Sequence, residues 1–296
     1  MQSMMKVGFF GDGRWAYNSL KALLKNKNMN IKFVALRKNN PDQSLIKLAK
    51  QKKLKFYIFQ NVNNNFTFNI IKKMKIDIIV SVSYDQIFKK KLIDHLKLGI
   101  INFHAGNLPF YRGRSPLNWA IINGEKFFGI TVHYVNEGID TGDIILQKKF
   151  LINDNDDFKS ILTKVYKECP KILMKSLQLI KNNKVKRVKQ NNLSKKGSYF
   201  RKRLPGDENI DWHKSSREIR CFIRGLCKPG VVARTFTNNK EIRINKVYKK
   251  FKSSSKRILP GTIIKVFKRS FFVKTGNSSI GVKEWTGKVK EGLVLR

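Results

Sequence analysis

Residues 77–105 read DIIVSVSYDQIFKKKLIDHLKLGIINFHA, and this stretch sets the architecture of the first half of the chain. The run 77–83 is apolar enough on both faces for a strand buried in a parallel sheet, whose two sides are both covered. A helix is predicted near Ile87 to His95, and it leads to a second apolar strand, "GIINFHA". Strand, helix and strand in this order predict a Rossmann-like α/β layer. The same alternation runs back to the start of the chain. "KVGFF" is a strand, "GDG" a turn and Trp15 to Leu24 a helix; "IKFVAL" is a strand and Gln43 to Gln51 a helix; "FYIF" is a strand and Phe68 to Met74 a helix. Downstream the rhythm changes. "GITVHYV" and "DIILQKKF" are strands separated only by the loop "NEGIDTG", which predicts an antiparallel or mixed extension of the sheet.

One long helix is predicted over Asp156 to Asn182, with "NDNDD" as its acidic amino-terminal cap. The polar, basic stretch that follows reads as a linker, about residues 183–204. The expected division is a catalytic domain over 1–190 and a small β-rich domain over 205–296. In the latter, a helix near Ser215 to Leu226 precedes the strand-like runs "GVVARTF", "EIRINKVYKK", "GTIIKVF" and "SFFVKTG", a pattern that suits a small OB-like barrel.

With 41% hydrophobic and 28% charged residues the 296-residue chain is globular in composition. Its longest apolar runs fall well short of the roughly 18 residues that a membrane span needs, so no membrane insertion is expected. The amino terminus lacks the apolar core and small-residue cleavage site of a signal peptide. Cys169, Cys221 and Cys227 form an odd set without metal-ligand spacing, so a reduced, cytoplasmic protein without structural disulfides or a metal is expected. The formal net charge of +42 admits two readings. Lys and Arg at this density suit a phosphate backbone. However, the excess is Lys-dominated, spread over nearly every exposed segment, and accompanied by no nucleic-acid-binding signature. A compositional habit explains it better, and no nucleic-acid partner is expected.

"GFFGDGRWAYNSL" invites comparison with a dinucleotide fingerprint, but Ala16 replaces the third glycine, and Arg37 and Lys38 stand where an acidic ribose partner would end the second strand. A plain strand-to-helix turn accounts for it. His95, in a basic helix, and His133, alternating within a strand, read as structural residues, and His213 as a helix-start residue. His104 differs. Period-two alternation puts Asn102 and His104 on one face of a strand, and open α/β sheets gather ligands at the carboxyl ends of their strands. Asp140 and Asp143 lie on a Gly-flanked loop, and a carboxylate from there would fix the tautomer of His104 and raise its pKa. The amide of Asn102 is suited to a developing oxyanion. No Ser or Cys nucleophile accompanies the set, which points to direct transfer between two bound substrates, with His104 taking a proton from an amine.

"NFHAGNLPFYRGRSPLNWAIINGE" followed by "GITVHYVNEGIDTGDIILQ" resembles the catalytic core of the 10-formyltetrahydrofolate-dependent formyltransferases. The resemblance covers most of the chain. It implies Asn102, His104 and Asp140 as the catalytic set and N10-formyltetrahydrofolate as co-substrate. The folate would lie against Gln86, Ile87 and Phe88 and against Asn136, Glu137, Gly138, Ile139 and Asp140, with Arg114 at the same site. "RGRSPLNWAIINGE" is more similar to the sugar N-formyltransferases that act on nucleotide-linked amino sugars, such as those of lipopolysaccharide and O-antigen assembly. Arg112, Arg201 and Arg203 are then candidates for contact with the sugar nucleotide, since Arg forks match phosphate oxygens. Methionyl-tRNA formyltransferases are the alternative. They usually carry a basic insertion after the second strand, for which "RKNNPDQSLIKLAKQKK" is too short. The family's loop reads His-x-Ser-Leu-Leu-Pro, whereas Gly106 and Asn107 precede Leu108 and Pro109 here, so a hydroxyl is lost. The resemblance leaves room for a homodimer.

Overall fold

The computed structural model describes residues 4–252 and 257–296. In chain order its elements are β1 Met5–Gly11, α1 Gly13–Leu23, β2 Met29–Leu36, α2 Gln43–Gln51, β3 Lys55–Ile58, α3 Asn65–Lys73, β4 Ile78–Val82, α4 Lys90–His95, β5 Ile100–His104, β6 Arg112–Gly113, α5 Pro116–Ile122, β7 Phe127–Tyr134, β8 Ile144–Leu151, α6 Phe158–Lys181, α7 Gln190–Leu193, β9 Tyr199–Phe200, α8 Ser216–Gly225, β10 Ala233–Thr237, β11 Lys240–Lys252, β12 Ile263–Phe267, β13 Ser270–Lys274 and β14 Ser279–Thr286. They form two compact units that interleave along the chain. One holds the residues up to Gly113, Gly129–Lys149 and Lys164–Tyr199; the other holds Arg114–Phe128, Phe150–Thr163 and Phe200–Arg296.

The first unit is built on a seven-stranded sheet in the order β3-β2-β1-β4-β5-β7-β8. The pairs β2–β3, β1–β2, β1–β4 and β4–β5 are parallel, and β5–β7 is antiparallel. This is the Rossmann-like layer expected from the sequence, with the mixed extension where the rhythm changed. The central strands are apolar throughout because both faces are covered; Ile78, Ile79, Val80 and Val82 are fully buried. Phe10 anchors one side, edge-on to Phe33 at 5.5 Å and to Phe88 at 5.4 Å. Side-chain caps start two of the covering helices. Asp42 accepts from Leu45 N–H at the head of α2, and Asn64 from Thr67 N–H at the head of α3. The "GDG" turn is closed by an ion pair of 3.1 Å between Asp12 and Arg37, and Arg37 also donates to the Ser83 carbonyl. The residue that broke the dinucleotide pattern therefore ties the ends of β1, β2 and β4 together.

The second unit packs α5 and α8 with a five-stranded antiparallel sheet in the order β10-β11-β14-β13-β12. A capping box of Ser215 and Glu218 starts α8, so the helix begins after His213 rather than at it. Asn118 Nδ2 donates to the Gly225 carbonyl at 2.7 Å, joining α5 to the end of α8. Buried Trp212 donates to Thr235 Oγ1 at 3.0 Å, and Trp285 meets Phe271 edge-on at 4.9 Å. The chain's last residues close the sheet. Arg296 exchanges both backbone hydrogen bonds with Phe236 of β10, while Leu295 N–H donates to the Gly261 carbonyl just before β12. Asp156 and Asp157 cap α6 as expected, through Ser160 Oγ and Ser160 N–H. The three cysteines are buried and free. Among the described residues, no helix is long and apolar enough to cross a membrane.

Candidate active site

Strand β5 carries Asn102 and His104 on one face, and its antiparallel neighbour supplies the cross-strand partners. Asn102 stands opposite His133, and His104 opposite Thr131; residues directly opposed in such a pair share a face. The loop after β7 then returns Asp140 to this face. Asp140 adopts φ of +53°, a left-handed conformation that Asp tolerates better than most residues. Its Oδ2 accepts from Gly113 N–H at 2.9 Å and lies 3.4 Å from His104 Nδ1. Its Oδ1 lies 3.4 Å from both Asn102 Nδ2 and His133 Nε2. The three residues singled out in the sequence are therefore brought together, with His133 as a fourth member.

His104 is 6% exposed, and its Nε2–H donates to the Tyr111 carbonyl at 2.7 Å. Burial lowers its pKa from the ordinary value, while the Asp140 carboxylate and the Tyr111 carbonyl pull it back up. Burial alone would raise the Asp140 pKa, but His104, His133 and the Gly113 N–H outweigh it and hold the carboxyl well below the usual carboxylate range. Asp140 is thus a fixed anion beside a buried imidazole. A protonated His104 would find an acceptor for each N–H, Tyr111 on one side and Asp140 on the other, so the pocket is fitted to a ring that gains and returns a proton. Gly106 and Asn107, where the chain departs from the family's loop, lie against this ring and strand β7. The Gly106 carbonyl accepts from Thr131 Oγ1 at 2.7 Å, and Asn107 Oδ1 is buried without a hydrogen-bond partner.

The segments assigned to the folate are placed as follows. The Gln86 side chain is committed to its neighbours, donating to the Phe59 carbonyl and accepting from Val62 N–H, each at 2.9 Å. Ile87 is exposed, and Phe88 is in the core. Asn136 Oδ1 accepts from Thr141 Oγ1 at 2.6 Å and from Gly138 N–H, shaping a loop on which Glu137, Gly138 and Ile139 are exposed. Arg114 is exposed in the second unit. Arg112 is already spent: it donates to Gln190 Oε1 through Nε at 3.0 Å and lies 5.1 Å over the Tyr199 ring. Arg201 is held by Asp207 at 2.6 and 2.8 Å. Arg203 keeps a buried Nε without a partner.

Sequence reasoning missed Gln190, which sits in the stretch read as a linker. This buried amide donates through Nε2 to the Asp140 and Gly142 carbonyls, each at 2.8 Å, while its Oε1 receives Arg112. No local pattern marks it, because its partners are backbone carbonyls distant in sequence. Gln190→Ala is expected to cost about 1–3 kcal/mol, the usual penalty for stranding buried polar groups. Chemical denaturation checks this, and a loss below 0.5 kcal/mol or so would contradict the role assigned to it.

Comparison with known proteins agrees with this chemistry. The family described as formyl transferase matches residues 5–177, and the formyl transferase C-terminal domain matches residues 204–292. The methionyl-tRNA formyltransferase of Fusobacterium nucleatum is 37% identical over 228 residues, which cover 75% of this chain and 73% of that protein. The bifunctional polymyxin resistance protein ArnA of Wigglesworthia glossinidia brevipalpis is 36% identical over 269 residues, 88% of this chain and 40% of that protein. Among solved structures, the sugar 3N-formyl transferase WlaRD, crystallised with dTDP and 5-N-formyl-THF, is similar with a TM-score of 0.70 at 26% identity, covering 97% of this chain and 99% of that one. The N-formyltransferase of Helicobacter canadensis, in complex with folinic acid and dTDP-3-aminofucose, has a TM-score of 0.70 at 25% identity and covers 96% of this chain and 100% of that one. The chain belongs to the formyl transferase family.

Proposed function

We propose that this protein transfers the formyl group of N10-formyltetrahydrofolate to the amine of a nucleotide-linked amino sugar. The observation that carries formyl transfer is the cluster of half-buried Asn102 and Asp140 around buried His104. The amine attacks the formyl carbon, and the carbonyl oxygen becomes an oxyanion to which an Asn102 N–H donates a hydrogen bond. His104 takes the proton that the amine loses and returns it to N10 as the bond from N10 to the formyl carbon breaks. Asp140 holds the ring and balances its charge. In this reading the folate lies along Gln86–Phe88 and Asn136–Asp140. Arg203 is a better partner for a diphosphate than Arg201, whose fork Asp207 already fills.

The sugar acceptor is supported by the short link between β2 and α2, residues 37–42, where a tRNA-formylating relative would be expected to carry a basic insertion. The full-length likeness to sugar formyltransferase structures adds to it. A second reading, methionyl-tRNA formyltransferase, is favoured by the relative at 37% identity and by the net charge of +42. Release of tetrahydrofolate in the presence of dTDP- and UDP-linked amino sugars, or of methionyl-tRNA, separates the two. Turnover only with the tRNA, weakening steeply with added salt, overturns the sugar reading.

The pH profile tests the role of Asp140. Because burial lowers His104, the acidic limb of kcat/KM is expected below 6.5. Asp140 raises the His104 pKa, so Asp140→Asn is expected to move that limb to lower pH and to reduce kcat. A limb that stays put or moves upward contradicts this coupling.

A further inference from the structure

The carbonyl that meets His104 belongs to a residue held in an unfavourable backbone conformation. Tyr111 has φ of +60°, in the left-handed region that bulky side chains rarely adopt. Its carbonyl oxygen lies 2.7 Å from His104 Nε2, and Gly113 N–H, further along the same segment, donates to Asp140 Oδ2 at 2.9 Å. Segment 109–113 thus presents one backbone group to each member of the His–Asp pair. What grips this segment lies in the stretch read as a linker. Ser198 Oγ accepts from Tyr111 N–H at 2.9 Å, the Ser198 carbonyl accepts from Arg112 N–H at 2.9 Å, and Ser198 N–H donates to the Pro109 carbonyl at 3.3 Å. Gly197 permits the close approach, since a Cβ there would stand 2.8 Å from the Pro109 carbonyl oxygen.

Resting on the formyl-transfer reading above, we propose that Ser198 is a positioning residue: it locks the backbone around Tyr111 so that the Tyr111 carbonyl stays on His104. The peptide between Tyr111 and Arg112 is trans, so its C=O and N–H point in opposite directions. Holding that N–H against the Ser198 carbonyl turns the C=O towards the ring. The Ser198 hydroxyl holds the N–H of the preceding peptide, so the two bonds together fix φ and ψ of Tyr111. Without the hydroxyl, the first of these restraints is lost. Tyr111 can then relax towards negative φ and carry its carbonyl away from Nε2. The titratable groups that face the ring are Asp140 and His133; the hydroxyl of Ser198 acts through the Tyr111 backbone instead.

The test begins with the protein alone. The His104 Nε2–H is buried and hydrogen-bonded, so proton NMR should show it as a downfield, slowly exchanging signal, assigned by its loss in His104→Ala. In Ser198→Ala it is expected to move upfield and exchange faster, and in Ser198→Thr, which keeps the hydroxyl, to stay. An unchanged signal in Ser198→Ala overturns the proposal. The functional arm uses N10-formyltetrahydrofolate with dTDP-3-aminofucose as acceptor, or with water as acceptor if that sugar is not formylated. Ser198→Ala is expected to lower kcat about 5- to 20-fold at unchanged KM for the folate, and Ser198→Thr to restore most of the rate. The Tyr111 carbonyl favours the charged ring and raises the His104 pKa, so its withdrawal should move the acidic limb of kcat/KM to lower pH. Added to His104→Ala, the Ser198 change is expected to cost less than about 3-fold. A limb that stays put, a Thr variant as slow as the Ala variant, or additive losses overturn the proposal. Full activity of His104→Ala would instead overturn the formyl-transfer mechanism on which it rests, and the NMR signal would still report where the Tyr111 carbonyl stands.

Discussion

His104→Ala is expected to lower kcat by roughly 10²- to 10⁴-fold, the range that loss of a positioned general base produces. Affinity for the folate should change little, because the ring is buried at the reacting centre. Two acceptors are arranged around the ring, the Tyr111 carbonyl at 2.7 Å and Asp140 at 3.4 Å. They stabilise the imidazolium that forms when the amine gives up its proton, and alanine offers nothing in its place. Single-turnover kinetics with pre-bound folate measure this directly. A variant within 3-fold of wild type would mean that the proton goes elsewhere, to solvent or to the substrate itself.

Gly106→Ala is expected to be nearly as damaging, although it removes no functional group. A Cβ at this position would stand 2.6 Å from the Tyr111 carbonyl oxygen and closer still to His104 Nε2. One neighbour is backbone and the other is the catalytic ring, so neither can yield without breaking the hydrogen bond between them. A displacement of the base by about 1 Å can cost on the order of 100-fold in rate, and overpacking a filled site typically costs about 1–3 kcal/mol of stability. The check is kcat and the unfolding midpoint together. A stable, fully active alanine variant would show that the ring does not need this contact. The glycine also explains why the hydroxyl of the family's usual loop is absent: a side chain here would collide with the base unless the loop took another path.

Much of the fold was legible because it rests on patterns that a chain states locally. Strands β1 and β4 are apolar on both faces and alternate with helices, as the strands of a covered parallel sheet do. Strand β14 was missed because "SSIGVKEWTG" mixes Gly and Ser with charged residues, and its buried members Ile280 and Val282 are too few to set a period. Helix α5 was missed because its seven residues follow a Gly/Pro-rich loop and are held by contacts such as Asn118 to Gly225, distant in sequence. The site divides in the same way. Asn102 and His104 declare themselves by alternation on one strand, and Asp140 by a distinctive loop. The cross-strand register that sets His133 opposite Asn102, and so beside Asp140, leaves no mark in the alternation of a single strand. Gln190 and Arg112 belong to the same class. Their partners are chosen by the folded backbone, and the Arg expected to reach a ligand is instead held by Gln190 and Tyr199.

Formylation of a nucleotide-linked sugar amine by the cluster of Asn102, His104 and Asp140 is the reaction expected of this protein. Its most direct test is transfer of an isotopically labelled formyl group from N10-formyltetrahydrofolate to a panel of dTDP- and UDP-linked amino sugars and to methionyl-tRNA, followed by mass spectrometry of the acceptors. The account predicts label on the amine of one nucleotide sugar, absent with His104→Ala, and none on the tRNA. Label on methionyl-tRNA alone, or label on the sugar that persists in His104→Ala, would contradict it.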